Sequence, residues 1–308
     1  VIVADDASTD TSWDVILDWL QRDSRLRALR NKRNGGKSVA MNRAIAIARG
    51  RWLAVLDADD WFHPERLRAL VAVGERRQVD LVADNQLFYD TIANTVVGSA
   101  WPAGPTDWDL TFDDFLFGSN AYETFNLGML KPILRAEFTR ASGLSYDEKA
   151  RHGQDFLYLL QFYLLGGKAA VSDGPYYFYT QPFGALSHQW SHAARRRYDF
   201  QTAYEINKSY VEMASGSVTP TQLRRLKARN HQLQILEHYY SAKDLFDRGE
   251  KLASVLNVIR HPLMVGYAAR RLLKRYAGVE SLQAAAYVAG RSRRRSQENP
   301  VCVPGVVQ

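Results

Sequence analysis

Asp57, Asp59 and Asp60 follow directly on the apolar run Trp52-Leu53-Ala54-Val55-Leu56. Such a run reads as a short strand buried on both faces, which puts the aspartates at the strand's carboxyl end. Carboxylates crowded there repel one another. A hard divalent cation relieves that repulsion by taking their oxygens as ligands, and it keeps positions open for substrate phosphates. An Asp-rich turn leading into a helix from Glu65 to Val73 would satisfy the same pattern without a metal.

Two further stretches carry similar chemistry. Asp5 and Asp6 end the strand-like Val1-Ile2-Val3-Ala4, and the polar turn Ala7 to Ser12 leads into a helix over Trp13 to Arg22. In open α/β sheets ligands bind at the carboxyl ends of strands, so these carboxylates are placed for a ligand's polar edge, with a plain helix cap as the alternative. After a short strand at Leu26 to Leu29 comes the basic loop Asn31-Lys32-Arg33-Asn34-Gly35-Gly36-Lys37-Ser38. Its glycines permit close backbone approach, and it feeds a helix (Val39 to Ala48) whose free N–H groups favour anions. It is not a P-loop, because Lys32 stands where the Walker pattern needs glycine. Farther on, Asp155 opens an apolar helix running to Leu165; position alone makes it a favourable partner of the helix dipole.

The elements that must position these residues alternate between strand and helix. Further strands are expected at Val79 to Leu87, ending polar at Asp84-Asn85, at Ala169 to Val171 and at Tyr176 to Gln181, with a strand-like connection from Asn126 to Arg135. Thr91 to Asp113 reads as a long loop carrying Trp101 and Trp108. This is an α/β pattern, and 308 residues with 46% hydrophobic content suffice for a core. Residues 1–185 hold 20 Lys/Arg against 24 Asp/Glu, whereas residues 186–308 hold 20 against 9. The basicity therefore belongs to the C-terminal part, which argues against a chain that binds nucleic acid throughout. In that part Leu223, Leu226, Asn230, Leu233 and Leu236 recur at helical spacing. Leu252 to Tyr276 mixes an apolar stripe with arginines, as suits either packing on the catalytic part or peripheral contact with anionic lipid. The single cysteine, Cys302, excludes an internal disulfide and fits a reducing, cytoplasmic setting. No apolar run reaches the roughly 20 residues that span a bilayer. A chain opening at Val1 directly in a strand reads as one that has lost an upstream piece.

Taken together, Val3 to Asp10, Asn34-Gly35-Gly36-Lys37 through Met41-Asn42, and Leu56-Asp57-Ala58-Asp59-Asp60 resemble the family 2 glycosyltransferases. The resemblance implies a GT-A fold, an α/β architecture with a Rossmann-like, mostly parallel sheet flanked by helices. Here it would span residues 1–188, followed by a basic helical extension over 189–290 and a disordered tail over 291–308. It implies that Asp5 contacts the base of a nucleotide-sugar and that Asp6, Asn34, Gly36 and Lys37 complete the donor site. Asp57 and Asp59 would serve the ribose and a Mn²⁺ or Mg²⁺ ion on the diphosphate. Gly153-Gln154-Asp155 is similar to the family's Gly-Glu-Asp element, which makes Asp155 the base that deprotonates the acceptor hydroxyl, with glutamine in place of the commoner glutamate.

The family's usual first strand is missing, and its loss should open the middle of the sheet. His188, near the family's histidine position, is a candidate metal or phosphate contact and equally an ordinary surface residue. Trp101 and Trp108 are expected either to stack on sugar rings or to be buried against the sheet. The finer likeness is to bacterial exopolysaccharide enzymes of the succinoglycan type. It implies transfer of a hexose from UDP-glucose to an oligosaccharide or lipid-linked saccharide at the inner face of the plasma membrane. A sugar-phosphate nucleotidyltransferase and a non-catalytic membrane- or polyanion-binding protein are the rival readings.

Overall fold

In the computed structural model, which describes residues 1–102, 107–123, 125–181 and 198–277, the strands fall into two groups. β1 (Ile2–Asp5) and β2 (Arg27–Arg30), joined by α1 (Ser12–Arg22), pair in parallel as a small sheet of their own. α2 (Lys37–Ile47) then leads to β3 (Trp52–Ala54). With β4 (Trp61–Phe62), β5 (Leu81–Asp90), β6 (Thr95–Ser99), β7 (Trp108–Asp109), β8 (Ile133–Arg135) and β9 (Ala169–Gln181), β3 builds a second sheet in the order β3-β8-β5-β9-β4. β6 extends from β5, and β7 from β9. Pairing is parallel in β1–β2 and β5–β9 and antiparallel elsewhere among the described residues, so the sheet is mixed. Among those residues no strand joins β1 to β3, in keeping with the expected opening in the sheet.

β3 differs from expectation. Trp52 to Leu56 is not buried on both faces: β3 pairs only with β8, its strand geometry stops at Ala54, and Leu56 is 49% exposed. The strand is held from one side, where Trp52 Nε1 donates to Glu75 at 3.0 Å and the Arg135 guanidinium lies 4.5 Å from the indole ring.

β5 and β9 form the long central pair, and both exceed their expected lengths. The expected end at Asp84-Asn85 does not occur, because both polar side chains find partners inside. Arg66, on α3 (Arg66–Arg77), is fully buried and donates to both Asp84 oxygens at 3.0 and 2.7 Å. The Tyr176 N–H adds a bond to Asp84 at 3.1 Å. Asn85 donates to the Trp101 carbonyl at 2.6 Å and accepts from its N–H at 3.2 Å. Buried polar groups are tolerated only when paired in this way. Across from them, the two expected strands at Ala169 and Tyr176 are one continuous β9 whose pairing with β5 shifts register around Asn85 and Pro175.

Residues 91–113 are not a plain loop. They contain β6, β7 and the start of α4 (Phe112–Gly118), which opens with a reciprocal cap between Thr111 and Asp114. Trp101 is buried, and Trp108 is half-buried against the main core. The Asn126 to Arg135 connection contains a 3₁₀ turn at Leu127–Met129 before β8, and α5 (Ala136–Ser142) follows. α6 (Gln154–Leu164) buries Phe156, Leu157, Leu159 and Leu160 in the main core.

The C-terminal part is helical: α7 (Phe200–Ala214), α8 (Pro220–Asp247), α9 (Lys251–Arg260) and α10 (Leu263–Ala277). The helical spacing read from the sequence is the inward face of α8, where Leu226, Asn230, Leu233 and Leu236 are buried. No described helix is long and apolar enough to cross a membrane. Ser187, His188 and the tail over 291–308 lie outside the described residues.

Candidate active site

The sequence from β1 to α2 forms one side of the site, and its organiser is Asp6. Its carboxylate accepts from the N–H groups of Gly35 and Gly36 at 2.8 and 2.6 Å and from Asn31 Nδ2 at 2.6 Å. Burial alone would raise its pKa, but these bonds outweigh that and hold it below the ordinary value. The glycine N–H groups expected to receive a ligand anion are therefore occupied by a side chain of the protein. Gly36 has φ +86° and ψ 167°, a conformation that only glycine adopts readily, and a Cβ there would overlap the Arg151 guanidinium. Arg151 and Asn34 contact one another at 3.4 Å. Asp5 is buried beside them, accepting from the Ser8 N–H at 3.2 Å and pairing with Arg30 at 3.3 Å.

Lys37, the first residue of α2, reaches across to the second sheet. Its Nζ lies 2.9 Å from Asp57 Oδ1 and 3.1 Å from Asp155 Oδ2. Lys131, just before β8, makes the same pair of contacts: 2.8 Å to Asp57 Oδ2 and 2.5 Å to Asp155 Oδ2. Two ammonium groups thus clamp two carboxylates. Asp57 and Asp155 therefore lie side by side, with no gap as wide as a sugar between them. Both oxygens lie against the same nitrogen, so they can be no farther apart than the sum of the two Lys131 distances.

Charge follows from this geometry. Burial opposes ionisation of Asp57, yet Lys131 and Lys37 hold it well below the ordinary carboxylate range. Burial likewise opposes the Lys131 ammonium, and Asp155 and Asp57 together raise it well above the ordinary lysine value. Asp155 is neither on an open rim nor in the core, with 18% of its side chain exposed. Its Oδ2 is taken by the lysines, whereas Oδ1 is out of water and has no hydrogen-bond partner. A pocket bordered by Val55, Leu130, Leu134, Tyr146 and Tyr158 adjoins Asp155 and Lys131.

The Asp-Ala-Asp-Asp run divides its labour. Asp60 turns inward, accepting from Tyr177 Oη at 2.6 Å and from the Thr180 N–H at 2.9 Å, so it ties the turn to β9. Burial, with the nearby charges of Asp57 and Asp59, pushes its pKa up to about 6 against those two bonds. Asp59 stays exposed, and its carbonyl accepts from Thr180 Oγ1. Among the described residues no three His, Cys, Asp or Glu side chains gather as a ready-made metal site. Asp59 offers the oxygen chemistry that a hard cation takes, whereas both Asp57 oxygens are held by Lys37 and Lys131, so a cation bound to Asp57 would have to displace an ammonium group.

Lys131 and Tyr177 escaped the sequence reading. The signal for Lys131 was a lone charge inside the apolar stretch Leu127 to Leu134, which is costly unless a carboxylate awaits it. Tyr177 lay in plain view within the aromatic run Tyr176 to Tyr179, but only the fold shows which ring reaches Asp60.

Comparison with known proteins agrees with this geometry. Residues 1–117 match the model of glycosyl transferase family 2. The succinoglycan biosynthesis proteins ExoO and ExoU of Rhizobium meliloti (strain 1021) are 31% and 36% identical over 61% and 51% of this chain, covering 53% and 46% of their own lengths. The chain thus spans about half the length of these relatives. Among solved structures, S. aureus TarS 1-349 in complex with UDP-GlcNAc superposes with a TM-score of 0.57 at 19% identity, over 85% of this chain and 70% of that one. With the sheet, the Asp6-organised loop and the Asp57 turn in place, residues 1–117 are similar to glycosyl transferase family 2, and the chain has the GT-A fold.

Proposed function

We propose that this chain acts as an inverting, metal-dependent glycosyltransferase. It would move a hexose from a nucleotide-sugar, UDP-glucose first among candidates, to a hydroxyl of a growing, lipid-linked exopolysaccharide at the inner face of the membrane. The observation that carries the reading is Asp155: one oxygen is pinned by two lysines beside Asp57, and the other is buried without a partner. That oxygen is a hydrogen-bond acceptor without a donor, and an acceptor hydroxyl would supply one. Asp155 then acts as general base.

On the donor side, Asp5, Asp6, Asn34 and Gly36 would frame the nucleotide, with Lys37 at the junction. A Mn²⁺ or Mg²⁺ ion held at Asp59 with Asp57 would supply neutralisation of the leaving diphosphate. Lys37 and Lys131 add two further positive charges, which attract the diphosphate and orient it beside the carboxylates. The succinoglycan names of ExoO and ExoU and the UDP-GlcNAc complex of TarS support a UDP-sugar donor and a saccharide acceptor.

The test is product analysis with UDP-glucose and a lipid-linked saccharide extract, with and without Mn²⁺, on the wild type and Asp59→Asn. Metal-dependent UDP release that Asp59→Asn abolishes, with the fold intact by circular dichroism, supports the reading. Pyrophosphate release would point to nucleotidyl transfer instead, and undiminished donor affinity in Asp59→Asn would sink the metal role.

A further inference from the structure

The last two described helices are amphipathic with their apolar faces turned outward. In α9, Leu252, Val255, Leu256 and Ile259 recur at the spacing of a single helix face, and they are 74%, 53%, 42% and 68% exposed. The side of α9 that meets α8 carries Val258, packed on the helical core, together with polar contacts. Ser254 Oγ donates to the Ala242 carbonyl at 2.8 Å, and Asn257 Nδ2 donates to Ser241 Oγ at 3.3 Å. Among the described side chains of α10, Met264 and Tyr267 are the buried large apolar ones, with Tyr267 set between Tyr122 and Tyr239 at 4.9 and 5.0 Å. Leu263, Val265, Leu272 and Leu273 remain exposed. A surface helix normally turns its apolar stripe to the core, so the outward stripe of α9, continued by exposed apolar side chains on α10, marks a surface that something else covers.

Charge identifies the occupant. Residues 248–277 contain seven Lys/Arg and one acid, Glu250, in a C-terminal part that is basic overall. Arg248, Lys251 and Arg260 are exposed beside the α9 stripe. A second copy of the chain would bring two such basic faces together, and their repulsion opposes that pairing. A surface that is itself negative, and apolar beneath, satisfies both the stripe and the charges. The geometry points to α9 and α10 as a peripheral membrane anchor that lies on an anionic lipid bilayer, with Leu252, Val255, Leu256 and Ile259 entering the headgroup boundary and the basic side chains on acidic headgroups. This inference does not depend on the proposed transfer reaction, because binding needs neither donor nor acceptor.

The test is cosedimentation of the full chain with vesicles of phosphatidylcholine alone and of phosphatidylcholine with 30% phosphatidylglycerol. Binding to the anionic vesicles should be stronger by about tenfold or more and should weaken in high salt. The double variant Leu252→Glu/Ile259→Glu replaces two exposed side chains, so its melting temperature should match the wild type while vesicle binding falls by about tenfold or more. Equal binding to both vesicle types, or a double variant that binds as the wild type does, would overturn the assignment. So would a wild-type dimer in solution that the double variant disrupts, since the stripe would then be a contact between copies.

Discussion

Lys131 Nζ lies 2.5 Å from Asp155 Oδ2, joining the segment before β8 to the first turn of α6. Because Lys131 is buried and the same nitrogen also holds Asp57, the bond fixes which Asp155 oxygen is left for an incoming hydroxyl. Asp155→Asn keeps the shape but removes the proposed base. Transfer should fall by about a hundredfold or more, with UDP-sugar affinity changed only a few-fold, as steady-state rates and calorimetric titration of the same variant would show. A variant that keeps most of its transfer rate would end the assignment of Asp155 as base.

Lys131→Met tests the clamp from the other side. Removing one partner of a buried ion pair typically costs about 3 to 5 kcal/mol. Asp57 and Asp155 retain 25% and 18% side-chain exposure, so water recovers part of that loss and about 2 to 3 kcal/mol is expected. Urea unfolding reads it directly, and an unchanged midpoint would show that the clamp contributes nothing to stability.

Gly36→Ala concerns the donor loop. A residue with a Cβ is strained at this backbone conformation by about 1 to 3 kcal/mol, and the methyl must also displace the Arg151 side chain. The expected result is a lower melting temperature together with weaker donor binding, since the Gly36 N–H to Asp6 would be lost or lengthened. Full stability in this variant would mean that the loop relaxes without strain.

A pH dependence is expected from the helical extension. His238 stacks on His261 with ring centroids 3.4 Å apart, and burial, followed by the charge of His261, lowers the His238 pKa. An unfolded histidine takes up its proton near pH 6.5. The folded protein resists that proton, so the unfolded state binds more protons below this pH and stability falls as the pH drops through it toward the folded value. His152, lowered mainly by burial, acts in the same direction. Melting temperatures at pH 7.5 and 5.5 should therefore differ, and His261→Asn should narrow the difference by removing the neighbouring charge.

The sequence disclosed helix faces and helix starts because each obeys a local pattern: the α8 face and the start of α6 stand where spacing placed them. It misjudged β5 and β9 for a physical reason. Asp84 and Asn85 look like strand terminators until Arg66 and Trp101, distant in the chain, satisfy them. The same blindness hid the lysine clamp, since neither Lys37 nor Lys131 shows its partners at short range. Asp6 was placed at the donor site by resemblance, but its grip on Gly35 and Gly36 could be seen only once β1 and the loop had been brought together.

The division of strands into two sheets bears on how the protein yields. β1 and β2 contribute four residues each, α1 buries none of its own, and a two-stranded sheet alone is marginal in water. α2 supplies much of what fastens this piece to the rest, through reciprocal bonds between Asn42 and the Tyr146 backbone at 2.9 and 2.8 Å and through Lys37. A nucleotide touching Asp5 on one piece and Asp57 on the other would serve as a cross-brace. Occupancy would then add a further tie between the two sheets, so the ligand would also be a structural member of the fold.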